Sequence, residues 1–390
     1  MSGQTPPTGG GRYLVITELF LPTKGGTAVW FDAVYRRIGG KDTHIVTAAV
    51  PSNTAHDARH PNTIHRLRLR RHGWLRPESL AIYAKLFTVA ASLALAHRFT
   101  AVHAGRVLPE GLAAWLVARI VRKPAVVYAH GEEITTWRTP GKRRAMRFTF
   151  RHADRVIANS EFTREQLLRL GVSPASITVI HPGVDIDHFH PGLETADLRV
   201  SIELQPGQHL ILSVGRLSRR KGFDQVIRSL PILLQQKIDV QYAIIGTGED
   251  RDYLGSLAHQ VGVAERVHLL GHVSPEDLPR WYNACTVLAM PNREIDGDTE
   301  GFGMVFLEAA ACARPVVAGR AGGAVSAVLH GITGLSVDGE DLQEVASALA
   351  RILSDPALRD ALGRKGHARA LRDFSWEAVA RKTIAMTRDL

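Results

Sequence analysis

Two carboxylates frame a glycine-containing stretch, EGFGMVFLE, in the C-terminal half of the chain. Glu300 and Glu308 are eight residues apart, a little over two helical turns, so on a helix their side chains fall within about 80° of one face. Gly301 and Gly303 let the first amides of a helix approach an anion without side-chain obstruction. One surface can therefore seat a diphosphate or a sugar and bind two hydroxyl-bearing parts of one ligand. The alternative is an ordinary helix start with solvated carboxylates.

A pair of cations follows the apolar run LILSVG, which ends at Gly215. Arg216 and Lys221 are five residues apart, and at the end of a strand they can clamp both phosphates of a nucleotide diphosphate. They would also stabilise the charge that develops on a leaving diphosphate. Arg219 and Arg220 lie between them, so a solvated basic loop is the other interpretation.

A histidine, His130, ends the apolar run AVVYAH and is followed by Gly131 and Glu132. At the open edge of a parallel sheet, an imidazole in this position can hydrogen-bond a ligand hydroxyl or a transferring sugar. Glu132 can assist in binding an acceptor. From spacing alone a structural histidine is the commoner outcome, and no standard nucleophile arrangement accompanies it.

These residues stand at the ends of apolar, β-branched runs that alternate with helix-length amphipathic stretches. The first run, RYLVIT, leads into a loop that contains Gly25 and Gly26, and helical periodicity follows. Alternating units of this kind predict parallel sheets with helices on both faces. A glycine loop between strand and helix can build a ligand crevice, although a plain tight turn is the alternative at Gly25–Gly26.

The chain length of 390 residues exceeds what one hydrophobic core usually supports, so two domains are expected. A polar, glycine-rich start predicts a disordered leader over 1–12. The stretch HPGVD, which begins at His181, predicts the crossing between an N-terminal Rossmann-like domain over 13–188 and a C-terminal one over 189–373.

Charge is distributed unevenly along the chain. Residues 1–190 hold 26 Lys and Arg against 13 Asp and Glu, whereas the whole chain has a net charge of +10. Basic clusters beside aromatic residues occur in HRLRLRRHGWLR and in GKRRAMRF. They suit an anionic lipid surface, a phosphorylated acceptor or nucleic acid; nucleic acid is the least expected, because no known binding module is present. A solvated face that aids solubility is the alternative.

The cysteines and the most apolar segment indicate neither a disulfide framework nor a membrane span. Cys285 and Cys312 lie in apolar surroundings and are expected to be buried free thiols, typical of a reducing cytoplasm. The apolar segment 80–96 is shorter than the roughly 20 residues that cross a bilayer and contains Lys85. A helix docked on the protein is therefore predicted there.

The stretch EGFGMVFLEAAACARPVVA resembles the signature of the retaining family 4 glycosyltransferases, which have the GT-B fold. Further matches to this family occur in order along the chain at Gly25–Gly26, HGEE from His130, ANSEFT from Ala158, HPGVD from His181, SVGRLSRRKG from Ser213 and IIGTGED from Ile244.

The resemblance implies an α/β protein with two Rossmann-like domains that face a central cleft, with the C-terminal helix, 374–390, joined to the N-terminal domain. It implies that His130, Arg216, Lys221 and Glu300 are catalytic. The expected donor-binding residues are Gly25, Gly26, Gly215, Arg216, Lys221, Gly246, Val273, Glu300, Phe302, Gly303, Met304 and Glu308. Residues that could contact an acceptor or a membrane are Arg66, Arg68, Arg70, Arg71, Trp74, Glu132, Arg143 and Arg144.

No cofactor or divalent metal is expected. Asp296-Gly297-Asp298 resembles the D-x-D metal motif of transferases of the other main fold. In the family that the chain resembles, however, Arg, Lys and helix amides already hold the diphosphate, so a metal site at this motif is rejected.

The leading hypothesis is a retaining hexosyltransferase of cell-envelope glycan or glycolipid synthesis. It would transfer mannose from GDP-mannose to a lipid-linked or phosphorylated acceptor, at the cytoplasmic face of an anionic membrane. One alternative is a transferase of glucose or N-acetylglucosamine from a UDP donor to a small soluble acceptor. Another is a nucleotide-sugar-binding protein without transfer activity, or an epimerase or phosphorylase on the same fold.

Overall fold

A computed structural model describes residues 11–23, 25–69 and 80–390. Contacts divide the chain into two compact units, one made of Met1–Pro182 and Trp376–Leu390 and the other of Gly183–Ser375. Each unit contains one parallel sheet, as the alternating pattern predicts.

The N-terminal unit is built on a parallel sheet with the strand order β3-β2-β1-β4-β5-β6-β7 in its described part. The order reverses between β1 and β4, which is where ligands bind in sheets of this type. The strands are β1 Tyr13–Ile16, β2 His44–Ala48, β3 Thr63–Leu67, β4 Ala101–Ala104, β5 Ala125–Ala129, β6 Arg155–Ala158 and β7 Ile177–Val179.

Helices pack against this sheet, and the last one, α16, packs on α1 with an ion pair of 2.7 Å between Arg37 and Glu377. A π-helical turn, Val107–Gly111, precedes α4. The helices are α1 Gly26–Tyr35, α2 Asn53–Arg59, α3 Leu80–Ala96, α4 Leu112–Val121, α5 Glu132–Thr136, α6 Pro140–His152, α7 Glu161–Arg169 and, at the end of the chain, α16 Trp376–Arg388.

The C-terminal unit has a parallel sheet with the strand order β10-β9-β8-β11-β12-β13, which reverses between β8 and β11. The strands are β8 His209–Val214, β9 Val240–Ile245, β10 Val267–Gly271, β11 Val287–Met290, β12 Val316–Gly319 and β13 Gly334–Val337. The helices are α8 Ala196–Ser201, α9 Phe223–Gln235, α10 Arg251–Gln260, α11 Leu278–Ala284, α12 Met304–Ala311, α13 Ala324–Ala327, α14 Leu342–Ser354 and α15 Pro356–Asp373.

The contacts place the boundary after Pro182, whereas the sequence placed it after residue 188. The physical reason is that Val184 is buried in the core of the C-terminal unit. Val184 also bridges to Ser375. The chain therefore enters the second core before its polar stretch ends.

Several local predictions are confirmed. Leu80–Ala96 forms one helix, and none of the helices in the described part of the chain is long and apolar enough to cross a membrane. Cys285 and Cys312 are buried free thiols.

Candidate active site

Lys221 and Glu300 meet at the point where the strand order of the C-terminal sheet reverses. Lys221 ends a 3₁₀ turn, Arg219–Lys221, that follows β8, and its Nζ forms an ion pair with Oε2 of Glu300. The side chains are only 13% and 12% exposed. Two predicted catalytic residues that are far apart in the sequence are therefore in direct contact.

The Glu300 carboxylate collects further donors on the same oxygen. Arg220 approaches Oε2 to 3.4 Å and the Asn292 amide donates to it over 3.1 Å. Burial alone would raise the pKa of Glu300, but the charges of Lys221 and Arg220, and their hydrogen bonds, hold it below its usual value. The carboxylate is thus ionised at neutral pH, and Oε1, which has no hydrogen-bond partner within the described residues, can accept from a sugar hydroxyl.

Arg220 and Asn292 are functional candidates that the sequence prediction missed. Asn292 follows β11 within a tightly packed turn, because a Cβ on Gly222 would overlap the Pro291 carbonyl and one on Gly319 would overlap the Asn292 carbonyl. Arg220 also pairs with Asp298 at 3.0 Å. One signal was available for Arg220, namely its position directly before Lys221.

The backbone of Glu300 is fixed by a second glycine turn. The amide of Gly323 donates to the Glu300 carbonyl over 2.6 Å, and Gly322 has a φ of +64° with no room for a Cβ beside that carbonyl. Glu300 precedes α12 rather than forming its first turn, because the helix begins at Met304. The geometry of two carboxylates on one helical face, expected if both lay on the helix, therefore does not apply.

The start of α12 presents backbone amides, as expected for an anion or sugar site. Gly303 caps the helix with a φ of +88°, and a Cβ there would overlap the Phe306 ring. Phe302 is buried, whereas Met304 is half-buried at the first helical position. The first turn contains no acidic side chain that would repel an anion.

Glu308 lies on α12, where the Tyr282 hydroxyl donates to its Oε2 over 2.6 Å. Burial raises the pKa of the Glu308 carboxyl, and the hydrogen bond from Tyr282 opposes that rise. A half-buried carboxylate held by one phenol can bind a pair of hydroxyls such as those of a ribose. Tyr282 was also missed, since nothing near it in the sequence points to Glu308.

Arg216 lies apart from the Lys221–Glu300 pair. Its guanidinium is 74% exposed and pairs with Glu249 at 3.1 Å. The loops at Gly215 and Gly246 pack closely beside the site. A Cβ on Gly246 would overlap the Gly215 carbonyl, so position 246 requires glycine. The structure therefore brings Lys221 into the site and leaves Arg216 at its edge.

Val273, the predicted base contact, follows β10 and packs partly against the core of the C-terminal unit.

In the N-terminal unit, His130 directly follows β5, and three contacts hold it in place. Its Nε2 donates to the Gly105 carbonyl over 2.8 Å, and its backbone amide donates to Glu133 over 2.9 Å. The ring meets the Trp30 edge at 5.7 Å. Because Nε2 donates to that carbonyl, Nδ1 is the ring nitrogen that can interact with a ligand hydroxyl.

Three other predicted residues of the N-terminal unit, Glu132, Gly25 and Gly26, are exposed. Glu132 pairs loosely with Arg106 at 3.6 Å. Gly25 caps α1 with a φ of +127°, and a Cβ on it would meet open space. The amides at Gly25 and Gly26 are therefore accessible to a ligand.

The predicted basic residues have different environments. Arg66 is 9% exposed and pairs with Asp57 at 2.8 Å, so it holds its own loop instead of presenting a free charge. Arg68 is exposed, as are Arg143 and Arg144 on α6. Three others, Arg70, Arg71 and Trp74, lie outside the described residues.

The fold as a whole is that of GT-B glycosyltransferases. HepE of Anabaena in complex with UDP superposes with a TM-score of 0.82 at 21% identity, over 97% of this chain and 100% of that one.

Two family models match in succession, "Glycosyltransferase Family 4" over 25–188 and "Glycosyl transferases group 1" over 194–369. A GDP-mannose-dependent alpha-(1-6)-phosphatidylinositol monomannoside mannosyltransferase of Mycolicibacterium smegmatis is 32% identical over 93% of this chain and 94% of its own length. A D-inositol 3-phosphate glycosyltransferase of Kribbella flavida is 33% identical over 60% of this chain and 56% of its own length. The chain belongs to the family 4, or group 1, glycosyltransferases.

Proposed function

We propose that this glycosyltransferase moves mannose from GDP-mannose, with retention of anomeric configuration, to a lipid-linked or phosphorylated acceptor of cell-envelope glycolipid synthesis. The transfer chemistry rests on one observation, the buried contact of Lys221 with Glu300 at the strand ends of the C-terminal sheet. The choice of donor and acceptor rests on the Mycolicibacterium relative, which is similar to this chain from end to end.

In this proposal the C-terminal unit holds the nucleotide sugar. Lys221 and the first amides of α12 bind the diphosphate, with Arg216 joining them when it leaves Glu249. Glu308 accepts from the ribose hydroxyls, and Glu300 accepts from a sugar hydroxyl. These fixed charges and dipoles stabilise the departing diphosphate without a divalent ion.

The N-terminal unit supplies the acceptor half of the reaction. His130 offers Nδ1 to a hydroxyl, while Arg106 and Glu132 offer charges beside it. We assign no protein nucleophile. In the proposed same-face route, the C1–O bond to the diphosphate breaks, the acceptor oxygen bonds to C1, and the leaving phosphate oxygen takes the acceptor proton.

A phosphorylated, water-soluble acceptor is the second candidate, and the Kribbella relative favours it. The first candidate adds peripheral binding to an anionic membrane at its cytoplasmic face. Exposed cations on α6 support that version, because clustered Lys and Arg attract anionic lipid headgroups.

The donor is tested by the shift in melting temperature with GDP, UDP, ADP and their sugar conjugates. A ligand at 100 times its Kd stabilises the folded state by about 2.7 kcal/mol, so GDP and GDP-mannose should give the largest shifts. A response to UDP and UDP-glucose alone would contradict the choice of donor.

Transfer itself is then measured from labelled GDP-mannose to phosphatidylinositol mannosides in vesicles and, separately, to inositol 3-phosphate in solution. An α-linked product on the lipid supports the first candidate. A product on the soluble acceptor alone supports the second, and no product on either would contradict the proposed function.

A further inference from the structure

An apolar groove of about 460 Å³ lies on the N-terminal unit, outside the residues assigned above. Three helices line it with apolar side chains and one tyrosine, and none of the described residues in its walls is charged. The main contributors are Tyr83, Ala84 and Phe87 on α3, Leu112 and Leu116 on α4, and Ala145 on α6.

The rim of the groove is also apolar. Leu80 and Leu116 are 48% and 40% exposed, and Phe148, one turn beyond Ala145 on α6, is 39% exposed. Phe148 packs edge-on against the Trp115 ring at 5.0 Å. Exposed apolar area grouped around a concave site indicates a ligand or a membrane surface more than random exposure does.

A cation borders this groove on the α6 side. Arg144 is exposed and forms no ion pair within the described residues, and it lies beside Phe148, four residues further along the helix. On α4, the Arg119 guanidinium lies over the Trp115 ring at 5.9 Å and pairs with Asp154 at 3.9 Å. An apolar groove with a cationic border is complementary to an anionic amphiphile.

The groove also borders the strand ends where the order of the N-terminal sheet reverses. Tyr83, in its wall, is close to Glu110: burial first, and then the Glu110 charge, raise the pKa of Tyr83 to about 12. Glu110 accepts a hydrogen bond of 3.0 Å from the amide of Glu18, in the loop after β1. The wall of the groove and the loop after β1 therefore share Glu110 as a neighbour.

We propose that this groove binds one acyl chain of the anionic lipid that the enzyme glycosylates, so that the acceptor is held by its chain as well as by its headgroup. The inference rests on the lipid-acceptor version of the proposed function. The proposed acyl-chain subsite is separate from the donor residues, since the groove lies in the N-terminal unit and the donor residues lie in the C-terminal unit.

The test measures binding of lysophosphatidylinositols with acyl chains of increasing length to the full-length protein, without nucleotide sugar and below the concentration at which each lipid forms micelles. Affinity should rise about fourfold for each added methylene until the groove is full. A zwitterionic lysophosphatidylcholine of equal length should bind more weakly, because the cationic border would contribute little.

Ala84→Trp places an indole in the groove, and it should weaken binding of the longer chains at least about tenfold, which corresponds to roughly two excluded methylenes. Ala84 is itself exposed, so the fold should tolerate the change. Leu116→Trp fills the groove from the opposite wall and serves as the second variant. Ala96→Trp, on the same helix but away from the groove, is the matched control and should bind within about twofold of wild type.

Equal binding by wild type and both filling variants, or binding independent of chain length, would overturn the inference. The inference would also be overturned if the protein were a dimer that Ala84→Trp dissociates, since a second copy of the chain would then cover the groove. Failure of the proposed function is distinguishable: chain-length-dependent binding would persist while no mannose is transferred from GDP-mannose to any acceptor.

Discussion

Lys221 and Glu300 are 79 residues apart in the sequence, yet the Nζ of one and the Oε2 of the other form an ion pair with little solvent access. Each residue follows a different strand, and the reversal of strand order brings the two strand ends together. A cation that neutralises the carboxylate is thereby fixed at the proposed diphosphate site.

Lys221→Met should lower kcat by about 100-fold or more, because it removes a fixed charge that acts in the transition state. The free energy of unfolding should fall by less than the about 3–5 kcal/mol that is typical when a buried charge loses its partner. The reason is that Arg220 and Asn292 still hydrogen-bond Glu300. Steady-state kinetics with the identified donor, together with thermal unfolding, would separate the two effects.

The matched control is Arg219→Met in the same turn. Arg219 is partly exposed and pairs with Asp250 at 3.3 Å, a type of contact that contributes about 0–1 kcal/mol. Turnover within a few fold of wild type is expected. If both substitutions reduced kcat equally, the general charge of the loop would be responsible rather than the pair with Glu300.

Tyr282→Phe tests the assignment of Glu308 to ribose. The substitution removes the hydroxyl that orients the carboxylate and leaves the ring in place, so the KM for the nucleotide sugar should rise about tenfold with little change in kcat, as expected for a lost hydrogen bond to a charged group. Glu308→Gln should raise it further. Unchanged KM values in both variants would remove Glu308 from the ribose site.

The element order and the glycine turns beside cations or carboxylates could be predicted because each depends on local pattern. Alternating apolar runs predict strands and helices, and glycines beside cations or carboxylates mark strand ends. Side-chain partners depend instead on which strand ends become neighbours. That is why Arg216 was given a role equal to that of Lys221 although it pairs with Glu249, and why Asn292 and Tyr282 were missed.

Glu110 is another residue whose environment could not be predicted from the sequence, because a single glutamate before a glycine gives no sign that it will be buried. It is fully buried beside the loop after β1, and burial raises the pKa of its carboxyl from 4.5 to about 7. One carboxylate oxygen accepts the Glu18 amide, and the other has no partner within the described structure.

Glu110→Gln should therefore stabilise the protein at pH 8 and do little below pH 4.5. Below pH 4.5 the carboxyl is protonated in both the folded and the unfolded state. Between 4.5 and about 7 the unfolded chain releases the proton while the folded one keeps it, so stability falls as pH rises; above about 7 the full cost applies. That cost is about 3 kcal/mol, or several degrees in Tm.

The measurement is the difference in Tm between variant and wild type across this pH range. Glu165→Gln on α7, where the side chain is exposed, is the control and should show no gain that depends on pH. An equal gain for Glu110→Gln at pH 4.5 and pH 8 would contradict the ionisation argument and leave only a packing effect.

The double substitution Arg143→Ser with Arg144→Ser should weaken co-sedimentation with vesicles that contain anionic lipid. Each cation near an anionic surface contributes about 1 kcal/mol, so affinity should fall roughly 30-fold and the remaining binding should depend less on salt. The control is Arg364→Ser with Lys365→Ser, two adjacent exposed cations on α15 of the C-terminal unit. Because transfer to a soluble acceptor requires no membrane, its rate should be unchanged in both double variants. Equal losses of vesicle binding in the two would mean that net charge, rather than the surface of α6, attracts the protein to lipid.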